Sequence, residues 1–329
     1  MKIIPVATGL RIVLSLLMVA GALHEAKSFG FEGPVVRTLH QLSFPGASSA
    51  GVNTMYVPFT LVGRLMVVKA SADRIKGNFI IDTGSERLLL NKDYVSESEG
   101  NILITSIGNT GVLHVTEQTV DTLHLDQLTI PNLIAHVVDL NHIEIKKNTS
   151  IHGVLGYNVF KEFELFIDFP NSRIVLSRLD KNGVRIDRTA AWEKPYDSLS
   201  FELKKHFIVL RTVVNNVNLD MILDSGAELN LIDRKANRKV MEKFTIIKRV
   251  NLIGIGKKQV EVLAGVLADV KCGNQSSSDM NTLLTSLDEI NTSFGISVQG
   301  VLGYEVLNTR RTLINYKKRK LYFFSPLRS

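Results

Sequence analysis

Two aspartates with matching surroundings are the residues of this chain best placed to do chemistry. Asp82 lies in the segment FIIDTGS (79–85) and Asp224 in the segment MILDSGA (221–227). Each follows three apolar residues and precedes a small hydroxyl residue and a glycine, a pattern that predicts a buried strand ending in a tight turn. Two carboxylates held close together share a proton, so one can act as a base while the other acts as an acid. Such a pair could activate water against a peptide carbonyl without a metal or a cofactor.

A repeat extends beyond the two aspartate segments. The sequence GVLGY occurs at 153–157 and again at 300–304, and its second glycine follows the aspartate by 74 residues in the first copy and by 79 in the second. Order and spacing are both kept, which indicates an internal duplication. The sequence therefore predicts two lobes of one design. A pseudo-two-fold axis between them could bring Asp82 and Asp224 face to face.

The local patterns along the chain are those of strands. Short runs rich in Val, Ile, Leu and Phe, such as 61–68, 207–214 and 260–270, are separated by turn residues. Helical periodicity is weak, with short candidates near 233–242 and 279–289. We therefore expect an all-β protein. The expected divisions are a first lobe at 54–180, a polar linker at 181–197 and a second lobe at 198–329.

The two aspartate motifs, each with its later apolar-apolar-glycine element, resemble those of aspartic proteases of the retropepsin-like group, in the duplicated single-chain form of the pepsins. The similarity covers 57–324. It implies two closed-barrel-like β lobes, a catalytic pair formed by Asp82 and Asp224, and hydroxyl groups of Thr83 and Ser225 that bond across the lobe interface. The implied active-site loop residues are Thr83, Gly84, Ser85, Ser225, Gly226 and Ala227. The cysteine pairs usual in pepsins are missing, which favours the bacterial-type relatives.

The resemblance also implies a β-hairpin flap that closes over the substrate. Two glycine-bearing tips between apolar runs are candidates, one in each copy. The candidate residues are Ile107, Gly108 and Asn109 in the first copy and Ile255 and Gly256 in the second. The flap tyrosine of pepsins has no evident counterpart here.

Composition excludes several other classes of protein. The 329 residues are 45% hydrophobic and 22% charged, values that argue against disorder and against a multi-span membrane protein. The net charge is +7, but basic residues are spread along the chain and form one run, 317–320, which we interpret as a solvated hairpin end and not as a nucleic-acid site. Cys272 is the single cysteine, and the eight histidines lack the spacing of metal ligands. We expect a monomer without a metal.

The N-terminus has the form of an export signal. Lys2 and Arg11 precede an apolar run and then small residues near Ala22, which predicts a signal peptide at 1–22. A retained N-terminal anchor is the alternative. After cleavage we expect no membrane span and a periplasmic, cell-envelope or extracellular location. The segment 23–53 is interpreted as an N-terminal extension or a short pro-segment.

The sequence thus predicts an exported aspartic endopeptidase that hydrolyses peptide or protein substrates in a cleft between two lobes. Two other interpretations stay open. The aspartates could be buried turn residues that cap backbone amides. Alternatively, the fold could bind peptides, or act as a scaffold, without catalysis.

Overall fold

A computed structural model describes residues 19–21, 48–51, 53–96, 101–106, 112–187, 193–253 and 259–325 of the chain. The predicted signal peptide and N-terminal extension therefore lie mostly outside the described residues. Among the residues that are described, no helix is long and apolar enough to cross a bilayer.

The described part of the chain is built mainly from strands, as predicted. In chain order they are β1 Val19–Gly21, β2 Ser48–Gly51, β3 Thr54–Pro58, β4 Thr60–Val62, β5 Leu65–Ala72, β6 Ile75–Ile81, β7 Leu88–Asn91, β8 Asn101–Ser106, β9 Val112–Leu125, β10 Leu128–Val138, β11 Gly153–Leu155, β12 Phe163–Asp168, β13 Arg173–Arg178, β14 Asp197–Ser200, β15 Glu202–Lys204, β16 Phe207–Val214, β17 Val217–Leu223, β18 Asn230–Asp233, β19 Phe244–Ile253, β20 Gln259–Cys272, β21 Gln275–Thr285, β22 Gly300–Leu302, β23 Arg311–Asn315 and β24 Lys320–Phe324. The α-helices are α1 Asn141–Lys147, α2 Tyr157–Phe160, α3 Arg238–Met241, α4 Asp288–Phe294 and α5 Tyr304–Asn308, and a 3-10 turn spans Lys92–Tyr94.

The second copy repeats the first strand for strand, so that β4 to β13 correspond to β15 to β24. The first lobe has the sheet order β4-β5-β6-β11-β7-β10-β9-β8, and an additional pairing of β5 with β9 closes it. The second lobe has the corresponding order β15-β16-β17-β22-β18-β21-β20-β19, with β20 paired to β16 and β1 added beside β19. The predicted pair of similar, barrel-like β lobes is confirmed.

The strand before each aspartate is buried from several sides. Strand β6 pairs in parallel with β11, with Val154 opposite Ile80, and β17 pairs in parallel with β22, with Val301 opposite Ile222. The residues at 79–81 are fully buried, as are Ile222 and Val301. A strand covered on both faces needs apolar residues at consecutive positions, and this explains the uninterrupted apolar run before each aspartate.

A third sheet joins the two lobes. Its order is β14-β24-β23-β12-β13-β3-β2, so it takes strands from both copies. Strands β12 and β23 pair directly and antiparallel, with Leu165 opposite Ile314 and Phe166 opposite Leu313. One hydrophobic cluster runs through both lobes along this sheet. The shared sheet therefore links the two lobes that carry the aspartate loops.

The helices are short, and one of the two predicted helical segments was wrong. Helix α3 lies inside the predicted segment 233–242, but most of 279–289 forms the end of strand β21, and helix α4 begins only at Asp288. Strand β21 is flanked by β20 and by β18, and those ladders determine its conformation. The basic run 317–320 lies at the turn between β23 and β24, as predicted.

Candidate active site

Each aspartate begins the turn that follows its buried strand. The backbone N–H of Asp82 donates to the carbonyl of Leu155 (3.0 Å), and that of Asp224 donates to the carbonyl of Leu302 (2.9 Å). The later apolar-apolar-glycine element of each copy thus holds its own aspartate at the end of the strand. This contact explains why the two motifs, more than 70 residues apart, recur together.

The hydroxyl groups of Thr83 and Ser225 cross the lobe interface. Thr83 Oγ1 donates to the carbonyl of Leu223 (3.3 Å), and Ser225 Oγ donates to the carbonyl of Ile81 (2.9 Å). Each hydroxyl also accepts a backbone N–H from the other loop. Thr83 and Ser225 therefore join the two aspartate loops across the lobe interface.

The two carboxylates meet at one backbone amide. The N–H of Gly84 donates to Oδ1 of Asp82 (2.8 Å) and lies 3.2 Å from Oδ1 of Asp224. Further amide bonds come from Ser85 to Asp82 Oδ1 (3.1 Å) and from Gly226 to Asp224 Oδ1 (2.8 Å). Fixed N–H donors at these positions hold each carboxylate in one orientation.

Glycine is required in both loops because the carboxylate of the opposite lobe lies against it. A Cβ atom built on Gly84 would lie 2.4 Å from Oδ2 of Asp224, and one built on Gly226 would lie 2.5 Å from Cγ of Asp82. Real Cβ atoms do not approach other heavy atoms so closely. The glycine after each hydroxyl residue is therefore needed for the two lobes to approach.

Burial dominates the electrostatics of the pair. The side chains of Asp82 and Asp224 are both fully buried. Burial raises the pKa of Asp224 above its ordinary value, while a hydrogen bond with Asp82 and the amides of Gly84, Gly226 and Ala227 oppose that rise. The contact between the two buried carboxyl groups disfavours ionisation of both at once, because two like charges would then lie together away from water.

Aromatic rings pack beneath the loops in crossed pairs. Tyr157 of the first copy contacts Tyr316 of the second edge to face, with ring centroids 5.2 Å apart, and Tyr304 of the second copy contacts Phe169 of the first at 5.4 Å. Burial raises the pKa of Tyr316, so its hydroxyl stays neutral. The backbone N–H groups of Tyr157 and Tyr304 donate to the carbonyls of Ser85 and Ala227. These contacts give Tyr157 and Tyr304 a packing role next to the aspartate loops.

The candidate flap tips lie outside the described residues, but the strands that lead to them are described. Strands β8 and β9 pair antiparallel up to Ser106 and Val112, and β19 and β20 pair antiparallel up to Ile253 and Gln259. Each lobe thus has a strand pair that ends where a candidate tip was expected.

Four further residues at the lobe interface were missed by sequence reasoning. Arg64 donates to the carbonyl of Glu228, and His206 contacts the carbonyl of Gly84, each from the opposite lobe. Lys147 forms an ion pair with Glu228, whose side chain is 2% exposed. Arg64 and His206 both lie 18 residues before an aspartate, and this common spacing is the signal that could have found them.

Comparison with known proteins gives an independent result. Residues 210–306 match a family model described as aspartyl protease. No curated protein sequence matches this chain. An aspartic proteinase from Irpex lacteus is a similar solved structure, with 14% sequence identity, coverage of 83% of this chain and 98% of that chain, and a TM-score of 0.48.

The aspartyl protease match begins in strand β16, includes Asp224 and ends in helix α5. It therefore contains the whole second motif with its later glycine element. The resemblance to aspartic proteases is confirmed by this match over the second copy of the repeat.

Proposed function

We propose that this protein is an aspartic endopeptidase in which Asp82 and Asp224 activate water at the lobe interface. One observation carries the proposal: the amide of Gly84 lies within hydrogen-bond distance of Oδ1 of both aspartates, so the two carboxylates face each other. The aspartyl protease match over 210–306 supports the same function.

In the proposed mechanism, one proton is shared by the pair. The ionised aspartate takes a proton from water while the water oxygen bonds to the peptide carbonyl carbon. The protonated aspartate gives its proton to the carbonyl oxygen, which produces a neutral tetrahedral diol. As the diol collapses, the aspartate that took the water proton gives it to the nitrogen of the departing amine. The other aspartate recovers a proton from a diol hydroxyl as the C–N bond breaks. No covalent enzyme intermediate forms, unlike the acyl-enzymes of serine and cysteine proteases.

The hydrogen bonds of the two loops support one acid and one base in the pair. The amides of Gly84, Ser85 and Gly226 donate to Oδ1 atoms, so we assign the exchange of protons to the Oδ2 edges of both carboxylates. Burial raises the pKa of Asp224, which favours Asp224 as the member that carries the proton. Asp82 then acts as the base toward water.

The substrate we propose is an extended peptide. Extended chains add backbone hydrogen bonds to exposed strand edges, and alternate side chains enter pockets on the two sides. The outer edge of β8, at the end of the sheet of the first lobe, is the edge that we propose for this role, since β1 already pairs with β19 in the second lobe. Export of the protein and action as a monomer are part of the proposal and rest on the sequence.

The test is cleavage of a mixed peptide library by the full chain, from about pH 3 to pH 8, the interval in which coupled carboxylates titrate. We expect cleavage that pepstatin blocks and that is lost in both D82N and D224N. The matched control is D168N. Asp168 is also fully buried, but its carboxylate accepts from Asn171 and Arg173 at the end of strand β12, so D168N should lower stability without abolishing cleavage.

The rival function is peptide binding without hydrolysis. The full burial of both aspartates favours it, because a substrate carbonyl must reach side chains that have no solvent exposure in this arrangement. Retention of labelled peptides by the folded wild type, with no new termini at any pH, would replace the protease proposal with this one.

A further inference from the structure

Each lobe has a tight two-residue turn that reaches the aspartate loop of the other lobe. Gly63 and Arg64 connect β4 to β5, and Lys205 and His206 connect β15 to β16. The strands on either side pair up to the turn in both copies. The first residue of each turn has a positive φ, +64° at Gly63 and +61° at Lys205. The two turns are therefore equivalent in position and in backbone shape.

The second residues of the two turns contact different peptide groups. Arg64 Nη1 donates to the carbonyl of Glu228 at 3.2 Å, beyond the Asp-Ser-Gly segment of its target loop. His206 Nε2 lies 3.0 Å from the carbonyl of Gly84, inside the Asp-Thr-Gly segment. The two copies thus differ at this point, and His206 is the one that contacts a residue of an Asp-Thr/Ser-Gly segment.

The contacts of His206 define its protonation state. Its side chain is 2% exposed and packs against the rings of Phe207 and Phe294, with centroids 3.9 Å and 5.2 Å away. A carbonyl oxygen only accepts hydrogen bonds, so Nε2 must carry the hydrogen. Nδ1 has no hydrogen-bond partner among the described residues. Burial lowers the pKa of His206 to about 4, against the smaller opposing effect of the Gly84 carbonyl, so the ring is neutral near pH 7.

The peptide group that accepts this bond is the one that holds Asp82. The Gly84 carbonyl and the Ser85 N–H are the two ends of one planar amide. The Ser85 N–H donates to Oδ1 of Asp82 at 3.1 Å. A donor placed on the oxygen of an amide polarises the group and makes its N–H a stronger donor, most of all where water is excluded.

We propose that His206 is a positioning residue for the Asp pair: by donating from Nε2 to the Gly84 carbonyl, it strengthens the Ser85 amide bond to Asp82 and favours the ionised form of that carboxylate. This inference rests on the proposed protease function, since it assigns the base in that reaction. Its consequence is that the pair begins to ionise at a lower pH than it would without His206.

The first test is the H206F variant, which keeps a ring between Phe207 and Phe294 and removes the donor. We expect kcat to fall about tenfold with KM changed less than about twofold, a size typical of residues that orient a functional group indirectly. We also expect the acid limb of kcat/KM to move upward by about half a pH unit, because the ionised base loses support. H206Q, whose amide can donate, should restore the wild-type profile.

The matched control is H136F. His136 is also 2% exposed, and burial lowers its pKa to about 4, but it lies on strand β10, where its Nε2 is 3.8 Å from Oε2 of Glu117. H136F should leave the acid limb where it is in the wild type. An equal displacement of the acid limb in H136F and H206F would overturn the proposal.

A second measurement separates this inference from the protease proposal. ¹³C NMR of labelled aspartates gives the apparent pKa values of the pair in the wild type and in H206F without any turnover. An upward change of the lower value in H206F supports the role of His206 even if no peptide is cleaved. If the wild type cleaves peptides and the apparent pKa values are unchanged in H206F, the role of His206 is overturned and the protease proposal remains.

A third measurement needs no variant and covers the case in which H206F does not fold. Long-range ¹H–¹⁵N spectra of the wild type report which ring nitrogen of His206 carries the hydrogen. We expect the Nε2–H tautomer. The Nδ1–H tautomer could not donate to Gly84 and would overturn the proposal.

Discussion

The backbone N–H of Thr83 donates to Oγ of Ser225, and the backbone N–H of Ser225 donates to Oγ1 of Thr83, both at 3.0 Å. The two residues belong to different copies of the repeat, so the exchange of bonds is symmetric across the lobe interface. All the atoms involved are buried. The relative position of the two aspartates therefore depends on a hydrogen-bonded contact between their neighbours.

Replacement of Thr83 by alanine should weaken both stability and catalysis. T83A leaves the N–H of Ser225 without its acceptor and the carbonyl of Leu223 without its donor, and buried groups in that state cost about 2–4 kcal/mol together. We expect that loss in the free energy of unfolding, measured with denaturant, and a fall in kcat. T83S should retain both properties.

The control for T83A is T212A. Thr212 is fully buried, and its hydroxyl donates to the carbonyl of Leu219 at 3.3 Å within the second lobe. T212A should cost about 1 kcal/mol and leave kcat unchanged. A normal kcat in T83A would show that the cross-lobe contact does not position the aspartates.

Replacement of Asp224 by asparagine should abolish cleavage and stabilise the fold at neutral pH. Burial raises the folded-state pKa of Asp224, so its contribution to stability is present below the unfolded pKa and is lost as the pH rises through the folded value. Asparagine can accept the Gly226 amide through Oδ1 and donate to Asp82 through Nδ2, with no charge to bury.

Activity in D224N should fall about a thousandfold or more, as for other groups that act as a unit. Its melting temperature should exceed that of the wild type at pH 8, with the difference shrinking toward pH 4. If D224N were less stable than the wild type at pH 8, the charged pair would not destabilise the fold.

Acidification should destabilise the protein through two buried histidines. Burial lowers the pKa of both His206 and His136 to about 4, with Arg87 contributing at His136. A depressed folded-state pKa means that stability is full above the unfolded value near 6.5 and is lost as the pH falls toward 4. At pH 5 each histidine should cost about 2 kcal/mol relative to pH 7.

Denaturant unfolding at pH 7 and at pH 5 measures this loss. The H136F variant should lose about 2 kcal/mol less than the wild type between these two pH values, because one of the two histidines no longer takes up a proton. We therefore expect the two histidines to make the protein more stable near neutrality than in strong acid. Equal free energies of unfolding at the two pH values would contradict neutral, buried histidines.

The ion pair between Lys147 and Glu228 should contribute strongly to the free energy of unfolding because both side chains are buried. The side chains are 7% and 2% exposed, and the two residues come from different lobes. K147M removes the ion-pair partner of a buried carboxylate and leaves Lys146 as a nearby positive charge, which should cost about 3 kcal/mol. The double variant K147M/E228L removes both charges and should recover most of that loss.

The exposed pair of Lys235 and Asp288 provides the comparison, with side chains 61% and 47% exposed. K235M should change the free energy of unfolding by less than about 1 kcal/mol. If K147M changed the free energy of unfolding as little as K235M, Glu228 would have to reach solvent or another cation in solution.

The sequence by itself determined the parts of this protein that are local. Three apolar residues before Asp82 and before Asp224 specify a strand covered on both faces, and the small residue and glycine that follow specify a tight turn. The repeated spacing of these elements was enough to predict two equivalent lobes. These features could be predicted because strand burial and turn shape depend on residues adjacent along the chain.

Tertiary structure decided everything that depends on residues far apart. Strand β12 pairs with β23 to form a sheet shared by both lobes, and nothing in either strand alone indicates its partner. The segment 279–285 is a strand because β18 and β20 flank it, although it was predicted to be helical. His206 reaches Gly84 across 122 positions of sequence. Such contacts follow from how the lobes pack, and packing brings together side chains that no local pattern connects.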